Sequence, residues 1–360
     1  MKKINIYYFC IIFILILTNY INKIFKNKVE LSILKEIKIV NIILLIIFTI
    51  ILTLLKKENL KLNIKYIIFL LIFTIFLRKF YLSFFIIVIS NFIDRKTRLK
   101  QLLFILCLFY FTVLVLNSFD FLDFNNIKYG IRRFESFEIY RHALGFSHPN
   151  TAMALLFPIF SLLYYLYYPK YKKTIIGIIL IIGSIIFGLT FSRTTFLLLI
   201  LFIILVLIKD KYIEKFKFLF LTEGFFMILF TFYLPFYFRN TILNKFFSGR
   251  LRLFHYYLTN HKVTLFGYSE IKKMYDTYPL DNIYLRCLFE NGIIGFIVLI
   301  ILVSIIMYIL VKNKDYKAVR IFSIILIFGF MESIALFYYF NIVYFIISDY
   351  IFRKEKNEIN

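Results

Sequence analysis

The sequence predicts an all-α, polytopic integral membrane protein with about twelve transmembrane helices. Hydrophobic residues make up 62% of the 360 residues, and the mean hydropathy is +0.84, whereas soluble domains are about 45–50% apolar. Apolar runs long enough to cross a hydrocarbon core of about 30 Å recur from one end of the chain to the other. The runs lack the alternation of β-strands, and every backbone amide in lipid needs an internal partner, so we interpret them as helices.

The predicted spans follow from the limits of these runs. They lie at about 4–20, 39–55, 65–77, 80–93, 101–117, 150–168, 174–191, 194–208, 218–236, 291–311, 321–337 and 340–352. A single helix across 65–93 would bury Arg78 and Lys79 in mid-membrane, which is costly, so a hairpin is expected there. No small-residue cleavage pattern follows the first run, which we therefore interpret as a retained anchor.

The charge and the cysteines exclude other classes of protein. The net charge of +24 would suggest nucleic acid as the partner of a soluble protein. Here most lysines and arginines flank apolar runs, so membrane topology explains the charge and no nucleic-acid partner is expected. Cys10, Cys107 and Cys287 are far apart and lie mostly in apolar runs. They predict neither a disulfide framework nor a metal site.

The positive-inside rule predicts the orientation. With the N-terminus inside, nearly all inner segments are short and basic, as at 94–100 and 312–320. The exception is 21–38, which places five lysines on the outer side. Because the chain lacks repeats and Pro- or Ser-rich linkers, we expect a single transmembrane domain over 1–360.

Two long segments, 118–149 and 237–290, fall on the outer side, and nothing comparable falls on the inner side. Any chemistry is therefore expected on the extracytoplasmic face. Polar residues away from the inner loops gather in four clusters. These are 141–150, 191–195, 247–252 with 265–268, and 280–284 with 290–295.

Three of the clusters contain a predicted helix N-cap, at Ser147, Ser192 and Asp281. Helix N-termini present free amides and a partial positive charge, which suit phosphate. Arginines can add bidentate contacts to the same group. The candidates are Arg141, Arg193, Arg250 and Arg252. The combination predicts an anionic, lipid-linked substrate such as a diphosphate.

Each of these residues also has a structural interpretation. An arginine can anchor a helix at the headgroups or lie on a solvated loop, and His148 or the Asp281–Asn282 pair can simply cap a helix. Glu223 and Glu332 lie inside apolar runs, where ionisable residues are functional by default. Both are close enough to a helix end to reach water.

Taken in order, the four motifs resemble the Wzy polysaccharide polymerases of the O-antigen polymerase and ligase superfamily. The motifs cover about 140 to 295. They are Arg141-x3-Gly145-Phe146-x-His148-Pro149-Asn150, Ser192–Arg193, Gly249–Arg250 leading to Gly267, and Asp281–Asn282-x-Tyr284 leading to Gly292 and Gly295. In the related ligases a His-Asn pair usually stands in place of Asp281–Asn282, so the departure favours a polymerase.

The resemblance implies a GT-C-like fold and an inverting glycosyltransferase in the cytoplasmic membrane of a bacterium. Its substrate would be an oligosaccharide linked to undecaprenyl diphosphate, and its partners membrane lipid, a flippase and a chain-length regulator. By matching position, Arg193 and Arg250 would bind the leaving diphosphate, and Asp281 would orient or deprotonate the acceptor hydroxyl. Arg141 and His148 would position the second substrate or assist proton transfer.

Asn150, Asn282 and Arg252 complete the predicted substrate-binding set. The outer segments hold no Asp-x-Asp motif, the nearest carboxylate pair being Asp120 and Asp123. No metal and no cofactor are therefore expected, since arginines and amides can stabilise the charge of the leaving group.

Two other functions stay open. A glycan ligase of the same superfamily would share the motifs. A flippase or transporter of lipid-linked oligosaccharides would also be basic and multi-spanning, but it should place charges at mid-membrane in paired repeat halves. The chain has no internal repeat, and its arginines lie at the outer edges.

Overall fold

A computed structural model describes residues 2–25, 81–119, 131–133 and 138–352. The predicted runs 39–55 and 65–77 lie outside these ranges, and so do the hairpin turn at Arg78–Lys79 and the pair Asp120 and Asp123.

The described residues are helical apart from one short pair of strands. The elements in chain order are α1 (Lys2–Phe25), α2 (Tyr81–Ser90), α3 (Arg95–Ser118), β1 (Ile131–Arg133), β2 (Glu138–Tyr140), α4 (Pro149–Ala154), α5 (Leu156–Tyr167), α6 (Lys172–Thr190), α7 (Arg193–Leu207), α8 (Asp210–Lys215), α9 (Lys217–Phe238), α10 (Ile242–Phe246), α11 (Arg250–Asn260), a 3₁₀ helix (Ser269–Asp276), α12 (Ile283–Lys312), α13 (Tyr316–Met331) and α14 (Val343–Phe352). β1 and β2 pair antiparallel, with Ile131 opposite Tyr140. This small ribbon is an addition to the predicted all-α fold.

Five of the described helices are long and apolar enough to cross a membrane. They are α3 (Arg95–Ser118), α4 and α5 taken together (Pro149–Tyr167), α6 (Lys172–Thr190), α9 (Lys217–Phe238) and α12 (Ile283–Lys312). The prediction of a helical membrane protein is therefore confirmed. The described helices agree with the predicted runs, and 321–352 contains two helices as expected, because α13 ends at Met331 and α14 begins at Val343.

Two limits of the predicted runs differ from the helices: α13 ends at Met331, before the predicted limit of 337, and α12 starts earlier than its predicted run. α12 begins at Ile283, well before the predicted start of the run at 291. The charged residues Arg286 and Glu290 interrupt the apolar run without interrupting the helix, because they pair at i,i+4 spacing (2.9 Å). Gly292, with φ 74° and ψ −173°, then bends the chain between this first part and the membrane-spanning part of α12.

The described residues divide into two compact units, of which the first comprises 2–25, 88–119, 131–133 and 138–200. In this unit α3 packs against α1 and α5, and α6 packs against α4 and α5. Phe146 from the loop before α4 is fully buried, with its ring 5.4 Å from that of Tyr110 and 6.2 Å from that of Tyr20. The polar loop is thus fixed to the apolar core by one aromatic side chain.

The second unit comprises the described residues 81–87 and 201–352. Here α9 packs against α11, α12 and α13. At the predicted inner end, the buried Arg320 donates from Nε to the carbonyl oxygen of Leu205 (2.9 Å) and from Nη2 to Asp210 (2.6 Å). It thereby adds a donor to the carbonyl of Leu205 at the end of α7, which also accepts from the amide of Ile208 (3.3 Å). Ser323 of α13 donates to Glu223 of α9.

Candidate functional site

The predicted site residues fall into both units, which are described separately. Unit 1 holds Arg141, His148, Asn150 and Arg193, and unit 2 holds Arg250, Arg252, Asp281 and Asn282.

In unit 1, Asn150 joins two of the predicted clusters. Its Oδ1 accepts hydrogen bonds from Nη2 of Arg141 (2.7 Å) and from Oγ of Ser192 (3.1 Å). Arg141 is only 7% exposed, and its Nε donates to the carbonyl oxygen of Thr190 (2.9 Å). The guanidinium therefore holds the loop before α4 against the end of α6, which makes Arg141 a positioning residue in this geometry.

The start of α4 corrects the predicted cap at Ser147 and confirms the structural interpretation of His148 as a helix cap. His148, not Ser147, is the N-cap: its backbone is extended (φ −157°, ψ 142°), and its Nδ1 accepts the amide hydrogen of Asn150 (3.0 Å). Pro149 follows at the first helical position, where its missing N–H costs nothing. Because Nδ1 uses its lone pair in the cap, the neutral ring carries its hydrogen on Nε2. His148 is therefore a donor, not a base, in this geometry.

Arg193 is the first residue of α7. The preceding residue, Ser192, occupies the cap position, since its carbonyl oxygen accepts from the amide of Phe196 (3.1 Å). The turn is completed by Phe191 in the left-handed region (φ 48°). Nε of Arg193 is buried and has no hydrogen-bond partner within the described part of the chain. Arg193 thus combines a helix N-terminus with donors that an anion can use.

In unit 2, one guanidinium holds two carboxylates. Nη2 of Arg250 lies 3.1 Å from Oδ2 of Asp281 and 2.7 Å from Oε1 of Glu332. Arg250 itself is 6% exposed, at the start of α11, which follows Gly249 in the left-handed region (φ 83°). We call Asp281 and Glu332, held in this way, the bridged carboxylate pair.

The charges of this cluster change what Arg250 can do. Burial alone would lower the pKa of Arg250, but the attraction of Glu332 and then of Asp281 outweighs it and raises the pKa above its ordinary value. The guanidinium is thus permanently charged, and two negative charges already face it. A diphosphate at Arg250 would be repelled by both carboxylates. The geometry makes Arg250 the residue that fixes the carboxylate pair.

Asn282, not Asp281, caps α12, which corrects a second prediction. Oδ1 of Asn282 accepts from the amide of Leu285 (2.9 Å), and Nδ2 donates to Thr231 (3.2 Å) and to the carbonyl oxygen of Phe330 (3.1 Å). Asn282 is fully buried, so its predicted contact with substrate is not supported by this geometry. The side chain of Asp281 stays 35% exposed and can meet a substrate.

Gly267 and Gly292 allow two backbone segments to pack closely against each other. Residues 264–268 run beside the bend of α12, where the amide of Tyr268 donates to the carbonyl of Phe289 (3.1 Å) and the amide of Ile293 to that of Thr264 (3.0 Å). Both Gly267 and Gly292 have positive φ, and a Cβ on either would overlap the backbone of the other segment. These glycines are therefore structural residues of the site.

The remaining predicted residue, Arg252, is exposed on α11. Sequence reasoning missed Glu332 as a site residue, although an acidic side chain inside an apolar run was the available signal.

Comparisons of the chain with models of known protein families, with curated proteins and with solved structures gave no match.

Proposed function

We propose that the chain is an extracytoplasmic polysaccharide polymerase of a bacterial cytoplasmic membrane, with about twelve spans and a GT-C-like architecture. It would transfer a growing glycan from undecaprenyl diphosphate to a hydroxyl group of a new lipid-linked repeat unit. The observation that carries the proposal is the bridged carboxylate pair at the start of a membrane-spanning helix. The four ordered motifs of the sequence support it.

In this proposal Asp281 acts on the acceptor. Its carboxylate accepts the hydrogen of the sugar hydroxyl and takes the proton as the acceptor oxygen bonds to the anomeric carbon. The bond between that carbon and the diphosphate breaks, and the electron pair leaves with the diphosphate. Glu332, whose side chain is 13% exposed, shares the charge of Arg250 and keeps Asp281 in place.

Arg193 acts on the leaving group. It is a cation at a helix N-terminus without an acidic partner among the described residues, so it can stabilise the charge that develops on the diphosphate. Arg141, Asn150 and Ser192 fix the turn from which Arg193 projects. Arg250 binds no phosphate here and positions the carboxylates instead.

The test is deletion of the gene followed by electrophoresis of the surface glycan. A polymerase predicts a ladder reduced to single repeat units, and Arg193→Ala should reproduce this result. Lys273→Ala, at a side chain that is 81% exposed and outside the predicted site, should not. Normal chain lengths after deletion would refute the proposal. Polymer that is made but not attached would identify a ligase, and repeat units retained inside the cell would identify a flippase.

A further inference from the structure

A short segment between α11 and the 3₁₀ helix exposes apolar side chains. Residues 262–266 form neither helix nor strand, and Val263, Leu265 and Phe266 are exposed, the last two by 59% and 66%. Lys262 comes directly before them and is exposed as well. We call 262–266 the apolar loop. Neighbouring exposed apolar side chains of this kind indicate an interaction surface.

The backbone of the apolar loop is joined to α12 at its bend. The bend interrupts the helix, which leaves the first amides of the second part of α12 (293–312) without intrahelical acceptors. The amide of Ile293 donates to the carbonyl oxygen of Thr264 (3.0 Å), and the amide of Ile294 donates to that of Leu265 (3.2 Å). The loop therefore supplies the acceptors that the restarting helix needs.

The second part of α12 gives the depth of this junction in the membrane. From Ile293 to Val311 it carries no charged residue and is about 28 Å long at a rise of about 1.5 Å per residue. This length matches a hydrocarbon core of about 30 Å. Lys312 ends the helix at the predicted inner boundary, so Ile293 lies at the outer boundary. The apolar loop, bonded to Ile293, therefore lies where the hydrocarbon of the outer leaflet meets the headgroups.

We propose that the apolar loop inserts the side chains of Leu265 and Phe266 into the outer leaflet of the membrane, so that its partner is the acyl chains of lipid. The exposed face of α12 leads directly to the loop, since Ile293 and Ile297 are exposed next to the junction. A helix that crosses the membrane turns such a face to lipid, and the loop continues this apolar surface. The inference does not depend on the proposed function.

The polar groups of the loop fit this position. Backbone groups that face lipid need partners within the protein, and the carbonyls of Thr264 and Leu265 have theirs in α12. Lys262 can extend its ammonium group to lipid phosphate at the headgroups while its stem lies beside apolar side chains. The loop can thus enter the edge of the leaflet without an unpaired carbonyl at Thr264 or Leu265.

The depth of the loop favours lipid over protein as its partner. A second copy of the chain would also suit an apolar surface, but it gives no reason for the surface to lie at the level where α12 enters the hydrocarbon. Lipid requires that level. The outer segment 237–290 would then be divided, because the 3₁₀ helix that follows the loop carries Glu270 and Lys273, which are 82% and 81% exposed and suit water.

Tryptophan fluorescence tests the insertion, because the protein contains no tryptophan and a single substitution introduces an isolated reporter. Full-length Phe266→Trp is reconstituted into lipid nanodiscs. Lipids brominated near the headgroup end of the acyl chain and lipids brominated near its methyl end quench the reporter at two depths. We expect the shallow bromines to quench Phe266→Trp more strongly than the deep ones. Leu265→Trp repeats the measurement and guards against misfolding of the first variant.

Ile301→Trp and Glu270→Trp are the matched controls for lipid and for water. Ile301 is exposed on the same face of α12 and lies about 12 Å further along the helix than Ile293, so deep bromines should quench it more strongly. Glu270→Trp should be quenched by iodide in the water, and its loss of fluorescence to brominated lipid should be several-fold smaller than that of Phe266→Trp. Each control carries tryptophan too, so the preference of this residue for the membrane interface cannot by itself explain a difference.

Stronger quenching by shallow bromines at both loop positions supports the insertion. If iodide quenches both reporters as strongly as Glu270→Trp and brominated lipid does not, the loop faces water and the proposal is wrong. Protection from iodide and from both lipids would show that protein covers the loop, which also contradicts the proposal. Stronger quenching by deep bromines would contradict the assigned depth. None of these measurements requires polymerase activity, so they are independent of the proposed function.

Discussion

Arg250 and Arg252 are two residues apart on α11 and point to different surroundings, so they form a natural test of the bridged carboxylate pair. Arg250→Met would leave Asp281 and Glu332 facing each other without a cation, and breaking a buried ion pair costs about 3–5 kcal/mol. The loss in free energy of unfolding should lie near the lower end of this range, because Asp281 is partly exposed. Thermal unfolding of the detergent-purified variants measures the loss.

Arg252→Met should change the free energy of unfolding by less than about 0.5 kcal/mol, as surface substitutions usually do. Equal unfolding temperatures for the two variants would contradict the proposed importance of the bridge.

Asp281 and Asn282 are neighbours in the chain, but their substitution should have different effects: the first on activity and the second on stability. Asp281→Asn keeps the shape of the side chain and removes its ability to take a proton, so we expect normal protein amounts and loss of polymer. Asn282→Ala removes a helix cap, which costs about 1 kcal/mol, and removes the hydrogen bonds that Nδ2 donates to Thr231 and to the carbonyl of Phe330. It should mainly lower stability.

Protein amounts by immunoblotting and glycan ladders from the same cells distinguish these two effects. Full polymerisation with Asp281→Asn would show that Asp281 takes no proton and serves only as an ion-pair partner of Arg250.

At the scale of elements, the bend of α12 depends on Gly292. Alanine there would be strained at φ 74° and would place a Cβ against the carbonyl of Leu265. Backbone strain alone costs about 1–3 kcal/mol, and the steric overlap adds to it. Gly292→Ala should therefore expose 261–282 to proteases in detergent.

Gly188→Ala in α6 is the matched substitution, because a Cβ at Gly188 meets nothing within 4 Å. It should stabilise the helix slightly, since alanine favours helices over glycine. Equal protease resistance of the two variants would show that the bend tolerates a side chain.

The helices were predictable because the length of an apolar run is a local property of the sequence. The details of the site were not, because they depend on contacts between distant residues. Arg250 and Glu332 are 82 positions apart, and nothing near either residue identifies its partner. The caps at Ser147 and Asp281 were predicted one residue too early because propensity favoured these side chains, whereas His148 and Asn282 have the required geometry.

At the scale of the whole molecule, the distribution of basic residues predicts which side faces the cytoplasm. The positions 142 and 252 are exposed and lie in the segments predicted to be outside, and position 314 is exposed in a segment predicted to be inside. In a variant without Cys10, Cys107 and Cys287, single cysteines at these three positions can be labelled with a membrane-impermeant maleimide.

We expect His142→Cys and Arg252→Cys to react in intact cells and Lys314→Cys to react only after permeabilisation. The physical reason is that lysines and arginines in short loops are retained on the cytoplasmic side during insertion, so the basic loops fix the direction of every helix between them. Labelling of Lys314→Cys in intact cells, with protection at 142 and 252, would reverse the topology. An enzyme that uses lipid-linked glycans outside the cell would then be excluded, because the bridged carboxylate pair would face the cytoplasm.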